Sequence, residues 1–273
     1  MFLFRRRPKA AIIPRQEHNI SRRDIDPDAL KVLYRLAYLH HKAYLVGGSV
    51  RDLLLGRTPK DFDVGTDARP NEIRRQFRNC FLVGRRFRLA HIVFGKKVIE
   101  TATFRKAPDP DAVQDEHGLY QYEDNTYGTP EEDALRRDFT VNGLFYDVET
   151  FSVIDYVGGL KDLKAKIIRS IGDPNIRFRE DPVRMMRAVR FAAKLGFDVA
   201  PNDVKAIRRY ASELENASDS RLCEEIQRLF VRGAAERCFR LAYDYGILRA
   251  LLPTLAAWLA GDAKRREAVW ASL

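Results

Sequence analysis

Two aspartates, Asp61 and Asp63, stand two residues apart in the run LVGGSVRDLLLGRTPKDFDV at positions 45–64. Side chains alternate between the faces of a β-strand, so a strand here would send both carboxylates to one spot. Paired carboxylates are hard oxygen donors suited to magnesium, and manganese accepts the same ligands. Two such ions can serve an in-line displacement at phosphorus, one activating the attacking hydroxyl and the other carrying the phosphates and the leaving group. Asp-x-Asp alone is more often a solvated strand face. What shifts the reading is the Gly47-Gly48 turn and the helix bearing Arg51 and Asp52 just before it. Glycines between a strand and a helix let the backbone approach a triphosphate, whose charge is favoured at a helix N-terminus.

Two further constellations suit nucleotide chemistry. In Arg136-Arg137-Asp138-Phe139-Thr140-Val141-Asn142, guanidinium forks match phosphate and ribose oxygens, and the neighbouring carboxylate can orient them or accept a ribose hydroxyl. In Glu180-Asp181-Pro182-Val183-Arg184 an acidic pair precedes a helix on which Arg184, Arg187 and Arg190 recur as a basic stripe. On composition alone the acid before Pro182 is equally an N-cap. Residues 84–91, GRRFRLAH, set Arg85, Arg86 and Arg88 around Phe87, which suits phosphate contact with a stacking ring; solvated strand-edge charges are the rival reading. His91 reads as a strand residue outside the active site.

LVGGSVRDLLLG followed by KDFDV resembles the signature of the class II nucleotidyltransferases, the group of bacterial poly(A) polymerases and tRNA CCA-adding enzymes. The resemblance covers about residues 12–252. It implies catalytic metals on Asp61 and Asp63, with Glu100 in IETATFR as a third acidic residue from a later strand. It implies nucleotide binding by Gly47, Gly48, Arg51 and Asp52. RRDFTVN is similar to the family motif RRDFTxN, which gives Arg136, Arg137 and Asp138 the ribose and triphosphate, with Asn142 beside them; the family often has Ala or Ser where this chain has Gly143. EDPVR is similar to the family's base-reading element, so Asp181 and Arg184 would meet the Watson–Crick edge, with Arg187 next on the stripe. GRRFRLAH resembles the poly(A) polymerase branch, pointing to ATP as substrate and an RNA 3′ end as primer, with CCA or A addition to tRNA as the alternative. A non-catalytic RNA-binding module would be marked by loss of a metal carboxylate, and Asp61, Asp63 and Glu100 are all present.

These residues must be positioned by regular elements. Periodicity predicts a helix over 27–41 capped by Asp26, strands at 43–46 and 61–64 around a helix at 49–55, a helix at 70–77, and a hairpin of 88–94 with 97–104. Residues 106–130 are polar and aperiodic, which predicts a long mobile loop. Paired strands are expected at 144–148 and 152–156, a short strand at 167–170, and helices at 183–195, 202–214, 221–231, 234–245 and 251–260. The expected class is α+β: a basic arm over 1–22, a polymerase β-like head of mixed sheet and helices over 23–157, and an all-helical neck over 158–273.

The chain has 273 residues and a formal charge of +10, which favours a polyanionic partner. Cys80, Cys223 and Cys238 are far apart and form no CxxC pair, as expected of buried free thiols in a reducing compartment. No stretch approaches the roughly 20 apolar residues of a membrane span. A soluble, cytoplasmic, monomeric protein is expected. Members of the family generally continue into further helices that grip RNA, so a shortened body with an intact catalytic centre and weaker RNA binding is also expected.

Overall fold

The computed structural model describes residues 10–84, 88–106, 126–230 and 234–273. Contacts divide the chain into two units, residues 1–137 with 141–160, and residues 138–140 with 161–273. The excursion at Asp138–Thr140 was not visible in sequence, where the boundary was expected at 157.

The first unit is built on an eight-stranded sheet. Its elements are β1 (Ala11–Ile13), α1 (Pro27–Tyr38), β2 (Ala43–Val46), α2 (Gly48–Leu54), β3 (Asp63–Thr66), α3 (Pro70–Gln76), β4 (Cys80–Val83), β5 (Leu89–Phe94), β6 (Lys97–Thr103), α4 (Pro130–Arg136), β7 (Leu144–Asp147) and β8 (Ser152–Asp155). The strand order is β1-β8-β7-β2-β3-β6-β5-β4. Every pairing is antiparallel except β3 with β6. Local chemistry explains the starts of the helices: Asp26 accepts from the Asp28 backbone ahead of Pro27, and Thr129 and Glu132 form a reciprocal capping box ahead of Pro130.

The outer half of the sheet has one sealed and one open face. Val64, Ala90, Ile92, Ile99 and Thr101 are buried on one side, while their neighbours His91 and Glu100 alternate to the other. In the inner half, β7 and β8 are buried along their whole length, as strands covered on both faces must be. Val46, Phe104, Ala134, Phe145 and Ile154 form a core cluster there. Gly65 serves this packing, since a Cβ would lie 2.6 Å from Phe104.

Three expectations change. The strand expected over 61–64 begins at Asp63, so Asp61 precedes it. A basic arm is expected over 1–22, but from residue 10 the chain joins the sheet: Ala11–Ile13 pairs with β8, His18 bonds the Phe151 carbonyl at 2.9 Å, and Ile20 is buried. Cys80 and Cys238 are buried as expected, whereas Cys223 is exposed. Most of the loop expected at 106–130 lies outside the described residues, as do Arg85, Arg86 and residues 1–9.

The second unit carries α5 (Gly159–Ala165), which begins at the boundary, then β9 (Ile167–Ile168), α6 (Pro174–Glu180), α7 (Val183–Leu195), β10 (Asp198–Val199), α8 (Pro201–Tyr210), α9 (Asp219–Phe230), α10 (Ala235–Asp244), α11 (Ile247–Leu251), α12 (Pro253–Ala260) and α13 (Ala263–Ala271). It is helical apart from the parallel ribbon of β9 with β10. Helix α7 is its centre: apolar residues at helical spacing bury Met185, Met186, Ala188, Val189 and Ala192, and Gly196 in the left-handed region ends it. Among the described residues no helix is long and apolar enough to cross a membrane.

Candidate active site

The acidic site of the first unit follows from the parallel pairing of β3 with β6. Val64 is in register with Thr101, so Asp63 and Glu100, one place earlier on each strand, stand side by side on the open face. Burial pushes the Asp63 carboxyl up to about 6, with Glu100 and Asp61 adding to the shift and Arg137 opposing it. Asp61 and Glu100 are more accessible, at 71% and 51% side-chain exposure. Among the described residues, Asp61 has only a loose 3.9 Å contact with Lys60, Glu100 a 3.8 Å contact with His91, and Asp63 no ion pair.

Carboxylates that repel one another and lack a neutralising partner suit a hard cation. No group of three or more His, Cys, Asp or Glu among the described residues is arranged to hold a metal alone. Magnesium does not require one, because it characteristically takes one or two carboxylates and completes its shell with water and substrate phosphates. The donor set therefore fits.

The glycine turn beside these acids is tightly specified. Gly47 caps α2 with φ of +73°, a conformation that costs a non-glycine residue strain, and a Cβ there would lie 2.9 Å from Arg137 Nη1. Its backbone N–H donates to the Leu144 carbonyl at 3.1 Å, tying the turn to β7.

Arg51, expected among the nucleotide-binding residues, turns its guanidinium into the protein. Its guanidinium is buried, donates to Asp52 Oδ1 at 2.7 and 2.9 Å, and donates to Asn142 Oδ1 at 2.5 Å. It thus joins α2 to the turn before β7, bringing Arg51, Asp52 and Asn142 into one polar cluster. Arg137 donates to Asp133 at 3.0 and 3.2 Å and lies over the Phe145 ring at 5.3 Å; Arg136 donates to the other oxygen of Asp133 at 3.0 Å. Burial raises the Asp133 carboxyl, but the two arginines outweigh it and hold the group below its ordinary range. Asp133 was missed in sequence, although an acid three and four residues before two arginines on a helix is a readable signal.

The second unit holds the remaining motif residues. Asp138 accepts from the Phe139 backbone at 2.7 Å and from Arg187 Nε at 3.0 Å. Arg187 also reaches Glu225 at 3.4 Å, and Arg190 and Arg228 donate to the same carboxylate at 2.8 and 3.2 Å. Glu225 is only 4% exposed, so an acid from α9 holds the basic stripe of α7. No local pattern announces it.

Asp181 ends α6, and Pro182 rather than an acid caps α7, which removes the N-cap reading. Asp181 Oδ2 accepts from Arg221 at 2.7 Å and lies 3.8 Å from Arg184 Nε, while Oδ1 is buried with no hydrogen-bond partner. Arg184 donates to the Arg177 carbonyl at 3.1 Å and to Glu180 at 3.2 Å. Arg88 is exposed at the start of β5.

A mixed sheet with an uncompensated acidic pair on its open face, followed by a helical unit, defines a nucleotidyltransferase head and neck. Residues 43–169 match the poly A polymerase head domain, and residues 196–259 match the family described as a probable RNA and SrmB-binding site of polymerase A. The chain is similar to poly(A) polymerase I of Escherichia coli O6:H1, at 51% identity over 92% of this chain and 55% of that protein. It is also similar to the CCA-adding enzyme of Geobacillus stearothermophilus, at 37% identity over 84% of this chain and 55% of that protein. The crystal structure of the Bacillus stearothermophilus CCA-adding enzyme in complex with CTP matches with a TM-score of 0.71 at 35% identity, over 82% of this chain and 53% of that one. The chain belongs to the class II nucleotidyltransferase family, homologous to bacterial poly(A) polymerase I and to CCA-adding enzymes. It spans 55% of the length of these relatives.

Proposed function

We propose that the chain transfers AMP from ATP to RNA 3′ ends without a template, as a poly(A) polymerase. The carrying observation is Asp63, half-buried beside Glu100 and within electrostatic range of Asp61, with no ion pair among the described residues. Asp61 and Asp63 are the metal ligands. Two magnesium ions there, or manganese in their place, would supply Lewis-acid stabilisation of the negative charge on the phosphoryl and leaving-group oxygens.

The chain's own groups bind and orient. Arg136 and Arg137 hold the triphosphate, their forks aimed by Asp133. Gly47 and Gly48 admit the phosphates, with Arg51, Asp52 and Asn142 fixing the shape of that turn. In the second unit Asp138 accepts a ribose hydroxyl while Arg187 holds it in place, and Asp181 with Arg184 reads the base edge. Arg85, Arg86 and Arg88 meet primer phosphates.

Identity favours adenylate addition over CCA addition, at 51% to the Escherichia coli poly(A) polymerase I against 37% to the CCA-adding enzyme. The second reading rests on that latter likeness and on a related tRNA nucleotidyltransferase, 30% identical, solved with a primer tRNA and an incoming ATP analog. Extension of a short RNA with one nucleotide at a time separates them. A long ladder with ATP alone, lost in Asp61→Ala or Asp63→Ala, is expected; arrest after CCA on a tRNA lacking its end would overturn adenylate addition.

A further inference from the structure

The open face of the sheet continues past the acids to its edge. Register carries it across: Asp63 stands beside Glu100, Glu100 is opposite His91 on β5, and His91 is opposite Phe81 on β4. Partners in register share a face, so these side chains form one row running from the acidic pair to the last strand. At the end of the row Phe81 is 63% exposed, and Val83, two residues on along the same face, is 46% exposed. Cys80, which alternates to the other side, is buried. The edge strand thus holds its small apolar residue inside and turns an aromatic ring to solvent.

We propose that Phe81 is a stacking platform for a base of the RNA primer a few nucleotides upstream of its 3′ end. This rests on the nucleotidyltransferase reading of the acidic pair. Three strand spacings of about 4.8 Å place Phe81 about 14 Å from Asp63, roughly four stacked nucleotides at about 3.4 Å each. A ring accepts the π-face of any base, so it adds affinity without demanding sequence, as growth of a tail whose register shifts with every addition requires. The exposed ring gains meaning from its continuity with the acids; elsewhere an exposed Phe would be ordinary.

The test uses the 273-residue chain and a short single-stranded oligoadenylate carrying 2-aminopurine at successive positions from a 3′-deoxy end. Phe81→Ala is expected to bind it roughly 5- to 50-fold more weakly. The wild type should quench 2-aminopurine at one internal position, with the quench lost in Phe81→Ala and restored in Phe81→Tyr. With extendable RNA, KM for RNA should rise while KM for ATP holds. Equal affinity and equal quench in Phe81→Ala would overturn the platform even if the wild type extends RNA. Phe81-dependent binding by a chain that extends nothing would sustain the platform and sink the enzymatic reading. Self-association that Phe81→Ala abolishes, with RNA binding unchanged, would assign the edge strand to a second copy instead.

Discussion

On the open sheet face of the first unit, Asp63 is half-buried, lacks an ion pair among the described residues and carries a carboxyl raised to about 6. In the second unit Glu225 is more deeply buried, and it is gripped by Arg187, Arg190 and Arg228. Burying a carboxylate is costly unless something compensates it. Glu225 is compensated by the protein, so its work is structural: it fixes the helix face on which Arg187 holds Asp138. Asp63 is left uncompensated, which is the condition of a group awaiting a cation. Asp133, held by Arg136 and Arg137, repeats the Glu225 arrangement inside the first unit, so the contrast follows role rather than location.

The contrast breaks most visibly at Glu225. Removing one partner of a buried charge network leaves the others desolvated and costs about 3 kcal/mol. Glu225→Gln should therefore lower the melting temperature of the second unit by on the order of 10 °C, read by calorimetry; an unchanged melting point would mean that the arginines do not depend on it.

Asp63 should behave in the opposite sense. In the folded, metal-free chain it keeps its proton to about 6, whereas its ordinary value is 3.8. Between those values the folded state binds more protons than the unfolded one, so metal-free stability falls as pH rises from about 4 to about 6, by on the order of 2 kcal/mol. Denaturation in EDTA across that window should show the slope in the wild type and a flatter profile in Asp63→Asn. Equal slopes would contradict the assigned shift. The smallest effect is expected at Gly47, where alanine meets a positive φ and the Arg137 guanidinium. About 1 kcal/mol of strain and a raised KM for ATP are expected, and an unchanged KM would show that the turn does not shape the phosphate site.

Much of this was legible in sequence where one element carried the whole signal. The helix over 183–195 and the strand over 43–46 fall where periodicity put them, and the glycine turn stands where it was expected, just ahead of the helix at 48–54. What sequence hid was tertiary. Glu225 and Arg187 are 38 positions apart and meet only because α9 packs on α7. The burial of Arg51 against Asn142 is hidden in the same way, because it depends on a turn 91 positions away. Strand β1 was obscured by flanking charge and β4 by its brevity, since a three- or four-residue edge strand offers too few alternations to be told from a loop. The early start expected for β3 came from assigning both aspartates to one strand; Asp61 joins the site from the loop before it.

Manganese titration of the chain with a non-hydrolysable ATP analogue, followed by electron paramagnetic resonance, tests the central contrast most directly. Wild type and Asp133→Asn should retain manganese in the ternary complex, although Asp133→Asn loosens the nucleotide, whereas Asp63→Asn should lose it at matched nucleotide occupancy. Undiminished manganese binding by Asp63→Asn would contradict the assignment of the uncompensated acids as the metal site.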